Sequence, residues 1–262
     1  MYSDEHKKYL KKKKKEKIFV LSIKILIFIL LILSWEILSR LGIINSFISS
    51  SPSKVLKTIW ELLSTNNLLS HIFTTFYETI ISFLIATILG LLFASLLWLS
   101  DSFFKIMDPY LTILNSLPKV SLGPLIIIIL GASTKSIIVM ALLISVFTTI
   151  INMYNAFIGT DKNKIILMKS FNATKYQIFK YLILRGNIPT LINTLKINIS
   201  LTLIGVIMGE LLVSKKGLGY LINYGSQIFN LNLVITSIFI LGILSYIFYI
   251  TIDKIEKYII TK

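Results

Sequence analysis

The sequence predicts an all-α membrane protein with six transmembrane helices, and three observations carry that prediction. Of 262 residues, 55% are hydrophobic and only 15% charged, with a mean hydropathy of +0.82, more apolar surface than a water-soluble chain of this size hides. The apolar residues gather in runs of the roughly 20 residues that a bilayer requires. The formal net charge of +15 sits at the ends of those runs, as the positive-inside rule demands, so the basic excess reads as topology and not as nucleic-acid binding.

Taken in order, residues 1–17 form a basic cytoplasmic tail holding Lys7, Lys8, Lys11, Lys12, Lys13, Lys14, Lys15 and Lys17. The run 18–41 is the first span; no Ala precedes Ala86, so no A-x-A cleavage site follows it and it is expected to be uncleaved. Lys24 is expected to snorkel to the interface, and Glu36 lies near the far end. In the outer segment 42–71, SPSKVLKTIWELL predicts a short surface helix, with a Ser-Pro start and Val55, Ile59 and Leu62 or Leu63 on one face.

The second span is expected over 72–99 and the third over 109–130. The third contains Pro118, Lys119, Gly123 and Pro124, a composition that kinks or breaks a helix, tolerated in membranes where the backbone packs on protein or lines a water-filled cavity. The fourth span covers 136–157 and the fifth 188–213. The fifth carries Asn193, Lys196, Asn198, Ser200 and Thr202 before Gly209 and Glu210, so one of its faces is expected to look into a bundle or cavity. A sixth span over 231–252 completes a transmembrane domain of 18–252, and 253–262 form a second tail with Lys254, Lys257 and Lys262.

Six spans put both termini on one side. That side collects the N-terminal lysines, Lys105, the basic residues of 161–187 and the C-terminal tail, against Arg40, Lys54, Lys57, Lys135, Lys215 and Lys216 on the other, so both termini are predicted to be cytoplasmic.

Several chemistries lack residues. Cys is absent and the only His are His6 and His71, so no disulfide and no Cys/His metal site can form, and no cofactor is expected. There is no G-x-x-x-x-G-K-[ST] phosphate loop, no G-x-S-x-G and no H-E-x-x-H, so the chain is expected to be no enzyme. The sequence shows no close pair of membrane carboxylates for a proton relay; His71 and Glu78, seven apart, share a helix face and read as interfacial packing.

The polar stretch between spans four and five, DKNKIILMKSFNATKYQIFKYLILRGNIP over 161–189, is too long for a hairpin. Residues 162–171 suit a helix with Ile165, Met168 and Phe171 on one side, Asn172 tolerates the left-handed turn, and Thr174 caps a second helix repeating Ile178, Phe179, Leu182 and Ile183. Two readings fit these residues: paired helices offered to a partner, or an amphipathic hairpin resting on lipid headgroups.

This stretch resembles the cytoplasmic EAA loop of ABC-importer permeases. Ser170, Ala173, Gln177, Phe179, Leu184 and Pro189 match that pattern, Ile166, Leu167 and Met168 occupy the Glu-Ala-Ala triplet, Asn172 the Gly, and Arg185 an earlier Pro. With Ile166 in place of the acid, docking is expected to rest on shape and apolar contact. SPSKVLKTIWELL, NSLPKVSLGPLIIIILGASTK, GELL at 209–212 and GLGYLI at 217–222 are similar to the branch that imports nitrate, sulfonates, taurine and thiamine or riboflavin precursors.

The resemblance implies a type I ABC importer permease, MetI-like in fold, in a bacterial inner (plasma) membrane. It implies a second permease copy, making a homodimer, two ABC ATPase subunits and an extracellular solute-binding protein as partners. Ile166, Met168, Ser170, Asn172, Ala173, Gln177, Phe179 and Pro189 are the expected ATPase-coupling residues. Asn115, Lys119, Asn193, Lys196 and Asn198 are the expected translocation path, because polar groups at depth need partners or water. Lys119 and Lys196 either favour an anion or neutralise Glu210 or a helix C-terminus. The alternatives are an amino-acid or peptide-type permease, and a channel or secondary carrier that needs no ATPase.

Overall fold

The computed structural model describes residues 4–43, 50–65 and 67–260, all helix and connecting turn. Lys262 of the expected tail lies outside the described residues, as do the side chains of Lys7 and Lys8. Among the described residues five helices are long and apolar enough to cross a membrane, or six where a helix pair bent by 87° counts as one span.

Helix α1 (Asp4–Arg40) carries the basic tail and the first span as one continuous rod. Its apolar side chains from Ile18 to Leu33 stay largely exposed, as suits a helix bathed in lipid, and only its end touches the rest of the chain. There Glu36 accepts from the Ser53 amide (3.1 Å), Ser53 Oγ (3.0 Å) and Arg40 Nε (2.6 Å), and Ser39 Oγ donates to the Ser50 carbonyl (2.9 Å). The charge near the span end is thus satisfied by the start of α2 (Pro52–Ser64), where Ser51 is the N-cap and Pro52 fills the first turn, in which its missing N–H costs nothing. Val55 is buried and Ile59 and Leu62, rather than Leu63, face the bundle.

The bundle is built on α3 (Asn67–Leu99), α6 (Thr134–Ile158) and α9 (Ile188–Val213). Lipid tails are as apolar as leucine, so such helices associate by close packing of small residues rather than by a hydrophobic difference. Thr75, Thr79, Ser82, Ala86, Gly90 and Ala94 form a buried stripe on α3, and Gly205 and Gly209 play that part on α9. A Cβ at Gly205 would stand 2.5 Å from Ala141 Cα, and one at Gly90 2.6 Å from the Thr149 side chain. The hydroxyls in these seams donate one turn back along their own helices, as in Thr79 to Thr75 O (2.7 Å), Thr149 to Ser145 O (3.0 Å) and Thr202 to Asn198 O (2.7 Å).

Between α3 and α6 lies the bent helix pair. Helix α4 (Asp101–Ser116) begins behind the Ser100 cap, earlier than the expected Pro109, and carries that proline inside the helix. The chain breaks at Leu117 and Pro118, makes a 3-10 turn over Lys119–Leu122, and resumes as α5 (Gly123–Leu130). Pro118 stops α4, whereas Pro124 sits in the first turn of α5 and disrupts nothing.

After α9, a short α10 (Leu218–Gln227) leads to α11 (Leu231–Ile260), which packs on α9, α10 and α2 around Leu203, Leu218, Leu241, Leu244 and Phe248. The stretch expected as a basic tail continues this helix through Ile260.

Candidate functional site

Helices α7 (Lys162–Ser170) and α8 form a clamp at one end of the bundle. Helix α8 comprises Lys175–Ile178, a π turn over Phe179–Ile183 and Leu184–Gly186. Asp161 caps α7 by accepting from the Asn163 amide (2.8 Å). Asn172 adopts φ +55°, the left-handed turn its residue type allows, while the Phe171 and Ala173 amides return to the Met168 carbonyl. Thr174 and Gln177 then close a capping box, Gln177 N to Thr174 Oγ1 (3.3 Å) and Thr174 N to Gln177 Oε1 (2.8 Å). Asn187 Nδ2 ties the far end back to Thr160 Oγ1 (3.0 Å).

The inner face of this helix–turn–helix packs on α3 and α6. Ile178, Phe179 and Ile183 are buried against Ala94, Met153 and Phe157, with Ile165, Met168 and Ala173 alongside. Phe179 lies between two rings, 5.4 Å from Trp98 and 5.4 Å, edge to face, from Phe157. Lys175 adds an ion pair to Asp101 (3.1 Å) and lies over Trp98. Phe179, one of the expected coupling residues, points its ring inward and anchors the clamp. Phe171, expected on one side of the helix with Ile165 and Met168, is 75% exposed while those two pack inward. The outward face presents Ile166, Leu167, Phe171 and Tyr176 amid exposed Lys162, Lys164 and Lys169. Ser170 is exposed with its hydroxyl on Leu167 O (2.7 Å), and Pro189 is exposed in the first turn of α9.

The polar residues of the spans separate into distinct environments. Lys119 Nζ donates to Asn115 Oδ1 (2.9 Å) across the break and lies over the Phe147 ring, so the structure brings these two together. Asn193 stands exposed on α9. Lys196 pairs with Asp253 (3.3 Å) and Glu256 (2.5 Å) of α11, so its counter-charges are these acids and not Glu210. Asn198, also expected in the path, is 1% exposed and donates to Thr87 Oγ1 (2.8 Å), an interhelical bond in the packed interior.

At the opposite end of the bundle the structure assembles a site that the sequence did not reveal. Glu78 of α3 and Glu210 of α9 are buried, at 1% and 0% exposed, and Glu78 lies one turn along α3 from Thr75, which bonds Glu210. Glu210 accepts from Thr75 Oγ1 (2.7 Å) and the Gly219 amide (2.6 Å). The Leu218 amide donates to Thr75 Oγ1 (2.8 Å) and the Gly217 amide to His71 Nδ1 (3.0 Å). Three successive backbone amides are thus captured by one face of α3 and by Glu210. Gly217 is at φ +109°, and a Cβ there would fall 2.2 Å from the Glu210 carboxyl carbon, so only glycine admits this approach. The available signal was the one-face spacing of His71, Thr75 and Glu78 together with paired glycines shortly after Glu210.

Comparison with known proteins agrees with this architecture. Residues 86–261 match the family described as binding-protein-dependent transport system inner membrane component. The chain is 25% identical over 209 residues to a putative aliphatic sulfonates transport permease, SsuC, of Bacillus subtilis, covering 80% of this chain and 76% of that one. It is 27% identical over 232 residues to the formylaminopyrimidine transport permease ThiX of Halalkalibacterium halodurans, covering 88% and 92%. In fold it is similar to a chain of the MetNI methionine ABC transporter in an inward-facing conformation, with TM-score 0.66 at 20% identity, covering 74% of this chain and 97% of that chain. With the family matched over most of its length, bundle and bent helix pair included, this chain belongs to the binding-protein-dependent transport system inner membrane components, the ABC importer permeases of MetI type.

Proposed function

We propose that this permease forms the path for a small solute handed over by an external binding protein, and that two ATPase subunits drive it through the 161–189 segment. The observation that carries this reading is the clamp. Its inner face is fastened to α3 and α6, while Ile166, Leu167, Phe171 and Tyr176 project from the outer face as an apolar patch ringed by lysines. Large apolar side chains exposed on a rigid element mark a docking surface. An element so attached transmits a push from a partner into two spans at once.

In this reading both termini are cytoplasmic, a second copy of the chain completes the path, and Asn115, Lys119 and Asn193 are the polar groups that face it. The solute is of the nitrate, sulfonate, taurine or thiamine- and riboflavin-precursor type. Relatives named for aliphatic sulfonates, formylaminopyrimidine and riboflavin support that range. The test is flux in proteoliposomes holding this chain with and without its ATPase and ATP, using a binding protein first screened against sulfonates, pyrimidines and amino acids by thermal shift. ATP-dependent flux of a sulfonate or pyrimidine is expected; equal flux without the ATPase would end the importer reading.

A further inference from the structure

We propose that Lys119 is the group that recognises the transported solute in the path, and that the solute therefore carries an anionic group, as a sulfonate or nitrate does and a neutral pyrimidine does not. The assignment deepens the reading of Asn115 and Lys119 as path residues and rests on it. Two lysines within the spans are candidates for such a role, Lys119 and Lys196, and the geometry leaves one. Lys196 is taken by Asp253 (3.3 Å) and Glu256 (2.5 Å), whereas among the described residues no acid lies within ion-pairing distance of Lys119.

Lys119 is held at the middle of the bundle. Its Nζ donates to Asn115 Oδ1 (2.9 Å) and stands 5.6 Å from the centroid of the Phe147 ring, so the ammonium is pinned at the break and does not snorkel to the headgroups. Along α6, Phe147 lies roughly 15 Å from Phe157, which touches the clamp, and roughly 20 Å from Thr134 at the other end of the helix. A cation at that depth is costly without a counter-charge. Of the three N–H donors of the ammonium one goes to Asn115, and the half-buried side chain leaves the other two to a ligand.

The acids of the chain cannot supply that counter-charge. Helix α6 carries none, α3 and α9 carry only Glu78 and Glu210, both buried at the end remote from the clamp, and α11 carries only the two that Lys196 takes. On α4, Asp108 lies about three turns before Lys119, beside Tyr154 and nearer the clamp. A second, identical copy of the chain brings the same set and so no acid at this depth. The anionic group of the solute is the partner that remains, and a charge-assisted hydrogen bond from a fixed ammonium selects it over a neutral molecule of similar size.

The test has two arms. The binding protein is screened by thermal shift against ethanesulfonate, taurine and nitrate as anionic probes and cytosine as the neutral one, and the probe with the largest shift is followed as flux into proteoliposomes holding the full transporter. An anionic probe is expected to win, and Lys119→Gln, which still reaches Asn115, is expected to raise KM for its flux by about tenfold or more, with kcat within about twofold and Lys119→Arg restoring most of the loss. A largest shift from cytosine, or no shift from any anionic probe, overturns the proposal. So does a KM unchanged in Lys119→Gln. Flux that proceeds equally without the ATPase would end the importer reading and leave this comparison of KM values intact, so the two failures are told apart.

Discussion

Replacing Phe179 by Ala separates two roles that the sequence merged. The ring is 7% exposed and makes two aromatic contacts, each with centroids 5.4 Å apart. Truncating a buried Phe costs about 3–5 kcal/mol, of which each ring pair contributes about 0.5–1.5 kcal/mol. The lower end applies here, because Ile178 and Ile183 keep the remainder of the inner face in place. A loss of about 3 kcal/mol in the docking of α8 corresponds to roughly a hundredfold rise in its open population. Amides of 175–186 should therefore exchange about a hundredfold faster in the full chain, measured by hydrogen exchange in nanodiscs. Exposed Ile166 and Leu167 behave oppositely: changing both to Ala should alter stability by no more than about 0.5 kcal/mol each while abolishing co-purification of the ATPase. Unchanged exchange in Phe179→Ala would refute the anchoring argument, and undiminished co-purification of the double variant would refute the assignment of the outer face.

Gly205→Ala places a carbon 2.5 Å from Ala141 Cα, where about 3.5 Å is needed, so α6 and α9 must part by about 1 Å at a cost of about 1–3 kcal/mol. Thermal unfolding in detergent should show a lower Tm, and an unchanged one would contradict the close seam. At the clamp's turn, Asn172→Gly should be tolerated and Asn172→Val should not, because φ is +55° there, while Thr174→Ala should lose about 1 kcal/mol of cap energy; exchange of the 175–178 amides reports both. Lys196→Met leaves Glu256 without its lysine and should lower thermal stability, with Glu256→Gln restoring part of the loss; strictly additive effects in the double-mutant cycle would show that the pair is not coupled.

Much of the fold could be read from short segments. Span lengths follow from runs of apolar residues, and the break falls at Pro118, whose ring cannot continue α4. The inward face of α2 follows from the spacing of Val55, Ile59 and Leu62. The clamp was legible as helix, turn and helix because Asn172 and Thr174 act on their own backbone within a few residues. Its orientation was not legible: an amphipathic helix advertises an apolar face but not what will cover it, and α8 is apolar on both the buried Phe179 side and the exposed Tyr176 side.

The sequence by itself therefore determined the membrane class, the helical spans and the local turns, since transfer free energy and backbone preference belong to segments of one helix length or less. Only the tertiary structure decided the encounters between distant residues. It set Lys196 against Asp253 and Glu256, Asn198 against Thr87, and Thr75 against Glu210 beneath the glycines of the following turn. In a bilayer, where apolar contact with lipid and with protein differ little, helix partners are chosen by the fit of small residues and by the need of each buried polar group for a partner. Those conditions are met between helices, and no single stretch of the chain contains them.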